Sequence, residues 1–149
     1  MTLADHLPEG SIVTRAPAND WREAVRLAGE ALVKTGVATE AYTTAMIETV
    51  EDLGPYIVIA PGFALAHARP SPAVLRTGIS WVGLADPVEF GNQANDPVRL
   101  VIGLAAVDHD SHIDIMSALA DLLDNQEAFE AAVEATSPER VREILRKYS

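Results

Sequence analysis

Apolar residues in the first third of the chain recur at helical spacing and predict two helices. The first helix begins near Asp20, because Asp20 followed by Glu23 forms a capping-box pattern and the apolar residues after it share one face. Those apolar residues are Trp21, Val25, Ala28 and Leu32. The second helix begins at Thr39 and ends at Gly54-Pro55, since glycine and proline stop a helix. Its inward-facing side chains are predicted to be Tyr42, Ala45, Met46 and Val50.

The centre of the chain changes to short apolar runs, which are typical of strands. The predicted strands are Tyr56–Ala60, Phe63–His67, Ile79–Leu84 and Leu100–Val107. The last of them is apolar almost throughout, as expected for a strand that is covered on both faces. Prolines, a glycine and asparagines crowd the stretch Asp86–Pro97, so we expect a loop there.

Helical spacing returns in the last third of the chain. Ser111 with Asp114 forms a second capping pattern, and an apolar stripe follows it. That stripe is Ile113, Met116, Leu119, Ala120 and Leu123. A short helix is predicted over Gln126–Val133, and a final helix has Ser137 as its N-cap with Pro138 at its first position. The inward-facing residues of the final helix are Val141, Ile144 and Leu145.

Helices, then strands, then helices indicate one α/β domain in which helices sandwich a sheet. The length of 149 residues suits a single domain over 1–149 that buries a substantial core. Hydrophobic residues make up 48% of the chain, which argues against a disordered protein. The chain has no cysteine, so disulfides, thiolate metal sites and cysteine nucleophiles are excluded.

The formal net charge of −11 limits the class of partner. It disfavours nucleic acid and anionic lipid, since both are bound through clustered Lys and Arg. A basic protein partner would be steered toward an acidic surface, and the alternative is that the charge only keeps the protein in solution.

No apolar run approaches the ~20 residues of a membrane span. Met1 to Gly10 lacks the basic and apolar regions of a signal peptide, so we expect a cytoplasmic protein.

The residues with the clearest chemistry lie in one run, Pro61-Gly62-Phe63-Ala64-Leu65-Ala66-His67-Ala68-Arg69-Pro70. The small neighbours of His67 leave its imidazole open to a large partner, and a neutral imidazole is a nucleophile at physiological pH. Arg69 lies on the same side if the strand continues, where its guanidinium would hold an anion through two hydrogen bonds. The run therefore indicates a phosphoryl carrier, and the alternative is a structural or surface histidine beside a solvated arginine.

This run resembles the active-site signature of enzyme IIA domains of the bacterial sugar phosphotransferase system, in the mannitol/fructose superfamily. The signature is Gly-x-Ala-x-Pro-His, and Gly62, Ala64 and His67 match it, with Ala66 in place of the usual proline. The continuation His-Ala-Arg-Pro and the lead-in Glu51–Ala60 are most similar to the ascorbate-type branch. The resemblance covers nearly the whole chain, because further landmarks recur in order. They are Asp86-Pro87-Val88-Glu89-Phe90, Asn95-Asp96-Pro97-Val98, and Ala105-Ala106-Val107-Asp108 before His112.

The resemblance implies a mixed β-sheet with helices on both faces, and a carrier that needs no cofactor and no metal. It also implies that His67 accepts phosphate from phospho-HPr and passes it to a cysteine of an enzyme IIB, with the membrane enzyme IIC as an indirect partner.

The sequence departs from the family pattern at two places. Alanine at Ala66 does not fix φ as proline would, which loosens the approach to His67. The acidic segment Ile47–Asp52 lacks an arginine that some branches carry, so Arg69 is expected to stabilise the phosphate.

A second histidine, His112, follows Ser111, the predicted N-cap of the third helix. The first turn of a helix offers free N–H groups and the positive end of the dipole, which favour an anion. The resemblance implies that His112 hydrogen-bonds the phosphate or orients the first imidazole; otherwise it is a polar residue in a solvated turn. His109 and His112 beside Asp108 and Asp110 also suggest metal ligands, so a small metal-dependent hydrolase is an alternative.

The sequence thus predicts a phosphohistidine-carrying component of a sugar phosphotransferase system, with ascorbate as the expected substrate class of the whole system. Such a protein binds other proteins in turn and does not contact the sugar. The alternative is a regulatory protein of the same fold, whose phosphorylation state controls a partner without a role in transport. The same histidine would serve both functions, so the sequence separates them poorly.

Overall fold

The computed structural model describes residues 2–147, which fold into one α/β domain with five α-helices and five strands in that range. A short 3-10 turn, Leu3–His6, precedes them. In chain order they are β1 Ile12–Ala16, α1 Trp21–Lys34, α2 Glu40–Leu53, β2 Val58–Ala60, β3 Phe63–Ala66, β4 Gly78–Val88, β5 Val98–Ala105, α3 His109–Asp124, α4 Gln126–Glu134 and α5 Pro138–Lys147.

The five strands form one mixed sheet with the order β1-β4-β5-β3-β2. β1 runs parallel to β4, and β3 runs parallel to β5. The pairs β4–β5 and β2–β3 are antiparallel. The mixed sheet expected from the family resemblance is therefore confirmed.

Both faces of the sheet are buried, because successive side chains along a strand point to opposite faces. In β5, Leu100, Ile102 and Leu104 belong to one hydrophobic core, whereas Val101 and Ala105 belong to the other. α3, α4 and α5 cover the first face, and α1 and α2 cover the second. The prediction of helices on both faces is confirmed.

The boundaries of all four predicted strands differ from the prediction, those of β2 and β3 by one or two residues at one end and those of β4 and β5 at both ends. β4 continues to Val88, which is buried and pairs with Val98, so the predicted loop over Asp86–Pro97 starts too early. The register shifts between Gly83 and Val88, so Asp86 and Pro87 belong to an irregular stretch of the strand, and the glycine and asparagines lie in the loop that follows it. β5 is also shifted toward the N-terminus relative to the predicted Leu100–Val107.

The sequence pattern missed β1 altogether. This strand lies at the edge of the sheet, and its register shifts between Val13 and Ala16. Arg15, within that shift, has φ of 53°, which breaks the alternation of a regular strand. A five-residue strand with such an interruption carries too little periodicity to be recognised.

Two predicted helix starts are confirmed by their hydrogen bonds. The Asp20 carboxylate accepts the Glu23 N–H at 2.8 Å, and the Ser137 hydroxyl oxygen accepts the Arg140 N–H at 3.2 Å. The Glu23 carboxylate accepts the N–H of Asn19 rather than that of the N-cap residue. None of the helices within residues 2–147 is both long and apolar enough to span a membrane.

The two helices on the second face approach closely where Gly29 of α1 meets Thr43 of α2. A Cβ atom at Gly29 would lie 2.7 Å from Thr43 Cβ, and no rotamer change relieves that contact. Gly29→Ala gains about 1 kcal/mol of helix propensity, but overpacking costs about 1–3 kcal/mol. We therefore expect urea denaturation to show a free energy of unfolding lower by about 1 kcal/mol, the difference between those two terms.

The double variant Gly29→Ala/Thr43→Gly provides the matched control. Removing the Thr43 side chain restores the space, so the two substitutions should be less damaging together than their separate effects summed. A Gly29→Ala protein that is as stable as the wild type would show that the helices move apart at no cost.

Candidate functional site

His67 directly follows β3, and its imidazole is held by the backbone of that strand. Nδ1 lies 2.8 Å from the carbonyl oxygen of Leu65. A carbonyl oxygen only accepts, so this hydrogen bond places the proton on Nδ1 and, in the neutral ring, leaves the lone pair on Nε2. In the half-buried His67 side chain, Nε2 is therefore the ring nitrogen with a lone pair available for reaction.

A cleft of about 850 Å³ opens beside His67. One side of it is formed by α2, another by the segment that follows β3, and a third by the end of β5 and the start of α3. His67 and Arg69 line this cleft together with His112, which comes from a distant part of the sequence. The structure thus brings the three predicted site residues together, while their roles stay predictions.

Arg69 lies at the exposed rim of the cleft. The predicted strand Phe63–His67 ends at Ala66, so the alternation that placed Arg69 on the side of His67 does not apply. Within residues 2–147, no hydrogen bond or ion pair engages the Arg69 guanidinium. All of its donors are therefore available to an anion that enters the cleft.

The start of α3 differs from the prediction, which took Ser111 as the N-cap. The N-cap is Asp108, whose carboxylate accepts the Ser111 N–H at 2.8 Å. His112 consequently lies one turn into the helix, and its own N–H donates to the Asp108 carbonyl at 3.2 Å. The free N–H groups belong to His109 and Asp110, and His112 offers its imidazole instead.

The apolar stripe predicted for α3 is also partly wrong. Of its five residues, Leu119 is buried, but Ile113 is 50% exposed and Ala120 is exposed as well. Ile115 and Leu122, which share one helix face with Leu119 at spacings of four and three residues, are buried instead. The exposed Ile113 follows His112 on the outside of the helix end.

Carboxylates form much of the cleft rim. Glu48 and Asp52 of α2 line it together with Asp108. The hydrogen bond from the Ser111 N–H lowers the pKa of Asp108, which keeps its charge. The acidic segment of α2 that the sequence analysis noted thus lies at the site and is not merely a remote helix end.

Tyr42 is a site residue that the sequence analysis assigned only to the core. Its side chain is 2% exposed, and burial raises its pKa, so the hydroxyl keeps its proton. The hydroxyl donates to the Leu104 carbonyl at 2.6 Å and accepts the Ala68 N–H at 3.0 Å. No signal in the sequence could reveal these contacts, since the partners are distant in the chain.

The metal alternative finds no support in the arrangement of side chains. Asp108, His109 and His112 line the cleft, but residues 2–147 contain no group of three or more His, Asp or Glu side chains placed to hold a metal ion. Asp110 does not line the cleft. His6 lies in the N-terminal 3-10 turn, away from the cleft lining, with its Nε2 buried and unpartnered among the described residues.

Comparison with known proteins gives one family. Residues 5–148 match the family described as phosphoenolpyruvate-dependent sugar phosphotransferase system, EIIA 2. The chain is 38% identical over 146 residues to the mannitol-specific cryptic phosphotransferase enzyme IIA component of Escherichia coli K12, with 97% of this chain and 98% of that protein covered. It is 37% identical over 147 residues to the ascorbate-specific PTS system EIIA component of Salmonella choleraesuis, with 97% and 96% covered.

One solved structure shows a related domain with a protein partner. It is the complex of mannitol enzyme IIA and phosphorylated mannitol enzyme IIB from Escherichia coli. The fold of this chain matches it with a TM-score of 0.82 and 32% sequence identity, and 95% of this chain and 97% of that chain are covered.

Proposed function

This chain belongs to the EIIA 2 family of the phosphoenolpyruvate-dependent sugar phosphotransferase system, whose components carry phosphate, and we propose that it carries the phosphoryl group on His67. The observation that supports this most is the hydrogen bond from Nδ1 of His67 to the Leu65 carbonyl, which leaves Nε2 as the nucleophile. The proposal takes the whole of 1–149 as one phosphocarrier domain that works in the cytoplasm.

The proposed transfer has two steps, and each exchanges one bond to phosphorus for another. The Nε2 lone pair of His67 attacks the phosphorus of phospho-HPr, and the bond to the HPr imidazole breaks with its electron pair returning to that ring. A cysteine thiolate of an enzyme IIB then attacks phosphorus, and the pair of the P–N bond returns to Nε2. No metal is needed in either step, and the phosphorylated ring keeps its Nδ1 proton on the Leu65 carbonyl.

Three groups of the cleft are suited to stabilise the charge on the transferring phosphoryl oxygens. Arg69 offers unpaired guanidinium donors at the rim, and His112 offers an imidazole from the first turns of α3. The free N–H groups at the start of α3 add the positive end of a helix dipole. Because a loose phosphoryl transition state spreads charge over three oxygens, such positioned donors are what its stabilisation requires.

We further propose a partner with a basic contact surface. The rim carboxylates of Glu48 and Asp52 repel small phosphate anions, whereas they attract a protein that brings its own cations. The variant Glu48→Gln/Asp52→Asn should accept phosphate from phospho-HPr about threefold to tenfold more slowly at low salt. The difference should vanish near 1 M salt, where charges are screened beyond about 3 Å.

The matched control makes the same change in charge at the end of α3 that lies away from the cleft. Asp121→Asn/Asp124→Asn removes two exposed carboxylates, and Asp124 lies about 18 Å along the helix from His112 at a rise of 1.5 Å per residue. Equal slowing by both double variants would mean that only the net charge matters, and no slowing by the rim variant would rule out a basic partner surface there.

The most specific part of the proposal is the type of sugar system, ascorbate or mannitol, in which this chain works. The continuation His67-Ala68-Arg69-Pro70 favours the ascorbate-type branch, while the identities of 38% and 37% to mannitol and ascorbate components do not separate the two. The test is transfer from the phosphorylated protein to purified enzyme IIB of each system. Faster transfer to the ascorbate enzyme IIB is expected. Faster transfer to the mannitol enzyme IIB would contradict the branch, and transfer to neither would favour a regulatory protein.

A further inference from the structure

The strand that leads to His67 is paired with β5 only up to the edge of the cleft. Phe63–Ala66 lies in parallel register with Leu100–Gly103, and no pair follows. The N–H of Leu65 donates to Ile57 on the β2 side of the strand, at 2.8 Å. Because backbone groups alternate along a strand, the even-numbered residues of β3 face β5.

The next position in this ladder belongs to Ala68. In continued register its N–H would donate directly to the carbonyl of Leu104, with nitrogen and oxygen about 2.9 Å apart. The Tyr42 hydroxyl stands between these two groups instead, accepting from Ala68 at 3.0 Å and donating to Leu104 at 2.6 Å. Its single proton goes to the shorter contact, although the Ala68 carbonyl is also 3.2 Å away.

This inserted hydroxyl coincides with the place where the cleft opens. Tyr42, Ala68 and Leu104 all line the cleft together with His67. A bridge of two hydrogen bonds holds the strand extension farther from β5 than one direct bond would. One oxygen atom, that of the Tyr42 hydroxyl, thus separates the strand extension from β5 at Ala68, the residue that follows His67.

We propose that Tyr42 is a positioning residue for phosphoryl transfer, an inference that rests on the proposed role of His67. Its hydroxyl fixes Ala68 relative to β5, while the Leu65 carbonyl fixes the imidazole from the other side. The two anchors flank His67 and hold Nε2 at the distance and angle that attack on phosphorus requires. A misplacement of about 1 Å at a reacting group lowers a rate by as much as 10²-fold.

The variant Tyr42→Phe keeps the buried ring and removes only the hydroxyl. In single-turnover phosphorylation by phospho-HPr, we expect its maximal rate to fall at least about tenfold, with the concentration of donor for half-maximal rate unchanged. Ser80→Ala is the matched control, because Ser80 is fully buried and its hydroxyl donates to the Ala28 carbonyl at 2.8 Å, away from the cleft lining. Its maximal rate should match the wild type.

A second measurement needs no variant and no phosphoryl transfer. By hydrogen exchange in the wild type, the Ala68 amide should exchange at least about tenfold more slowly than the Arg69 amide, for which the structure gives no acceptor within residues 2–147. Equal exchange at the two amides would overturn the proposal even if Tyr42→Phe fails to fold. A maximal rate within twofold of wild type, or equal slowing in Ser80→Ala, would also overturn it. Loss of phosphorylation in the wild type would instead count against the proposed function.

Discussion

Replacing His67 with alanine is expected to abolish phosphate acceptance while leaving the fold intact. The substitution removes the nitrogen nucleophile, and no neighbouring group in the cleft offers a second imidazole held in the same way by the strand backbone. Removal of a nucleophile that acts with positioned partners lowers rates by about 10⁴-fold or more. The half-buried position of the ring, at the end of a strand, makes a large loss of stability unexpected.

The measurement is intact mass after incubation with phosphoenolpyruvate, enzyme I and HPr. The wild type should gain one acid-labile phosphate, and His67→Ala should gain none. His109→Ala is the matched control, since His109 lines the same cleft from the exposed start of α3 and should leave phosphorylation unchanged. A His67→Ala protein that still gains acid-labile phosphate would refute the carrier assignment.

Replacing His112 with alanine is expected to slow phosphoryl transfer about 10²-fold without preventing it. His112 lies one turn into α3, where its side chain reaches the cleft and its backbone N–H is already used within the helix. Only the imidazole can therefore act on the phosphoryl group, and loss of one positioned donor costs about 10²–10³-fold in rate. The donor concentration for half-maximal rate should change little, because the lost contact acts mainly in the transition state.

Rapid-quench single-turnover kinetics measures this effect. His112→Gln, which restores an N–H donor, should recover part of the rate, because a positioned donor is what the site has lost. A maximal rate for His112→Ala within threefold of the wild type would contradict the role of His112. Equal rates for His112→Gln and His112→Ala would show that hydrogen bonding is not how it acts.

Elements shaped by contacts between residues close in the sequence could be predicted, whereas elements that depend on distant contacts could not. α1 and α5 begin where their caps predicted, because Asp20 and Ser137 bond to backbone groups in the next turn. The start of α3 was misplaced because two overlapping patterns compete there. Both Ser111 with Asp114 and Asp108 with Ser111 have the spacing of a cap, and only the fold decides between them.

The sequence predicted three residues that line the cleft, but it did not predict how the cleft is built. His67, Arg69 and His112 were identified from local composition and family resemblance, and all three line one cleft. Tyr42 was assigned to the core because its apolar spacing on α2 is correct, and it is indeed buried. Its hydroxyl contacts depend on how α2 packs over two strands, and sequence spacing carries no information on that packing.

The most direct test of the central claim is to locate the phosphate by nitrogen-15 and phosphorus-31 NMR of the phosphorylated protein. The hydrogen bond from Nδ1 to Leu65 predicts a phosphorus coupling to Nε2 of His67 and a retained proton on Nδ1. Coupling to Nδ1 of His67, or to any nitrogen of His109 or His112, would contradict it.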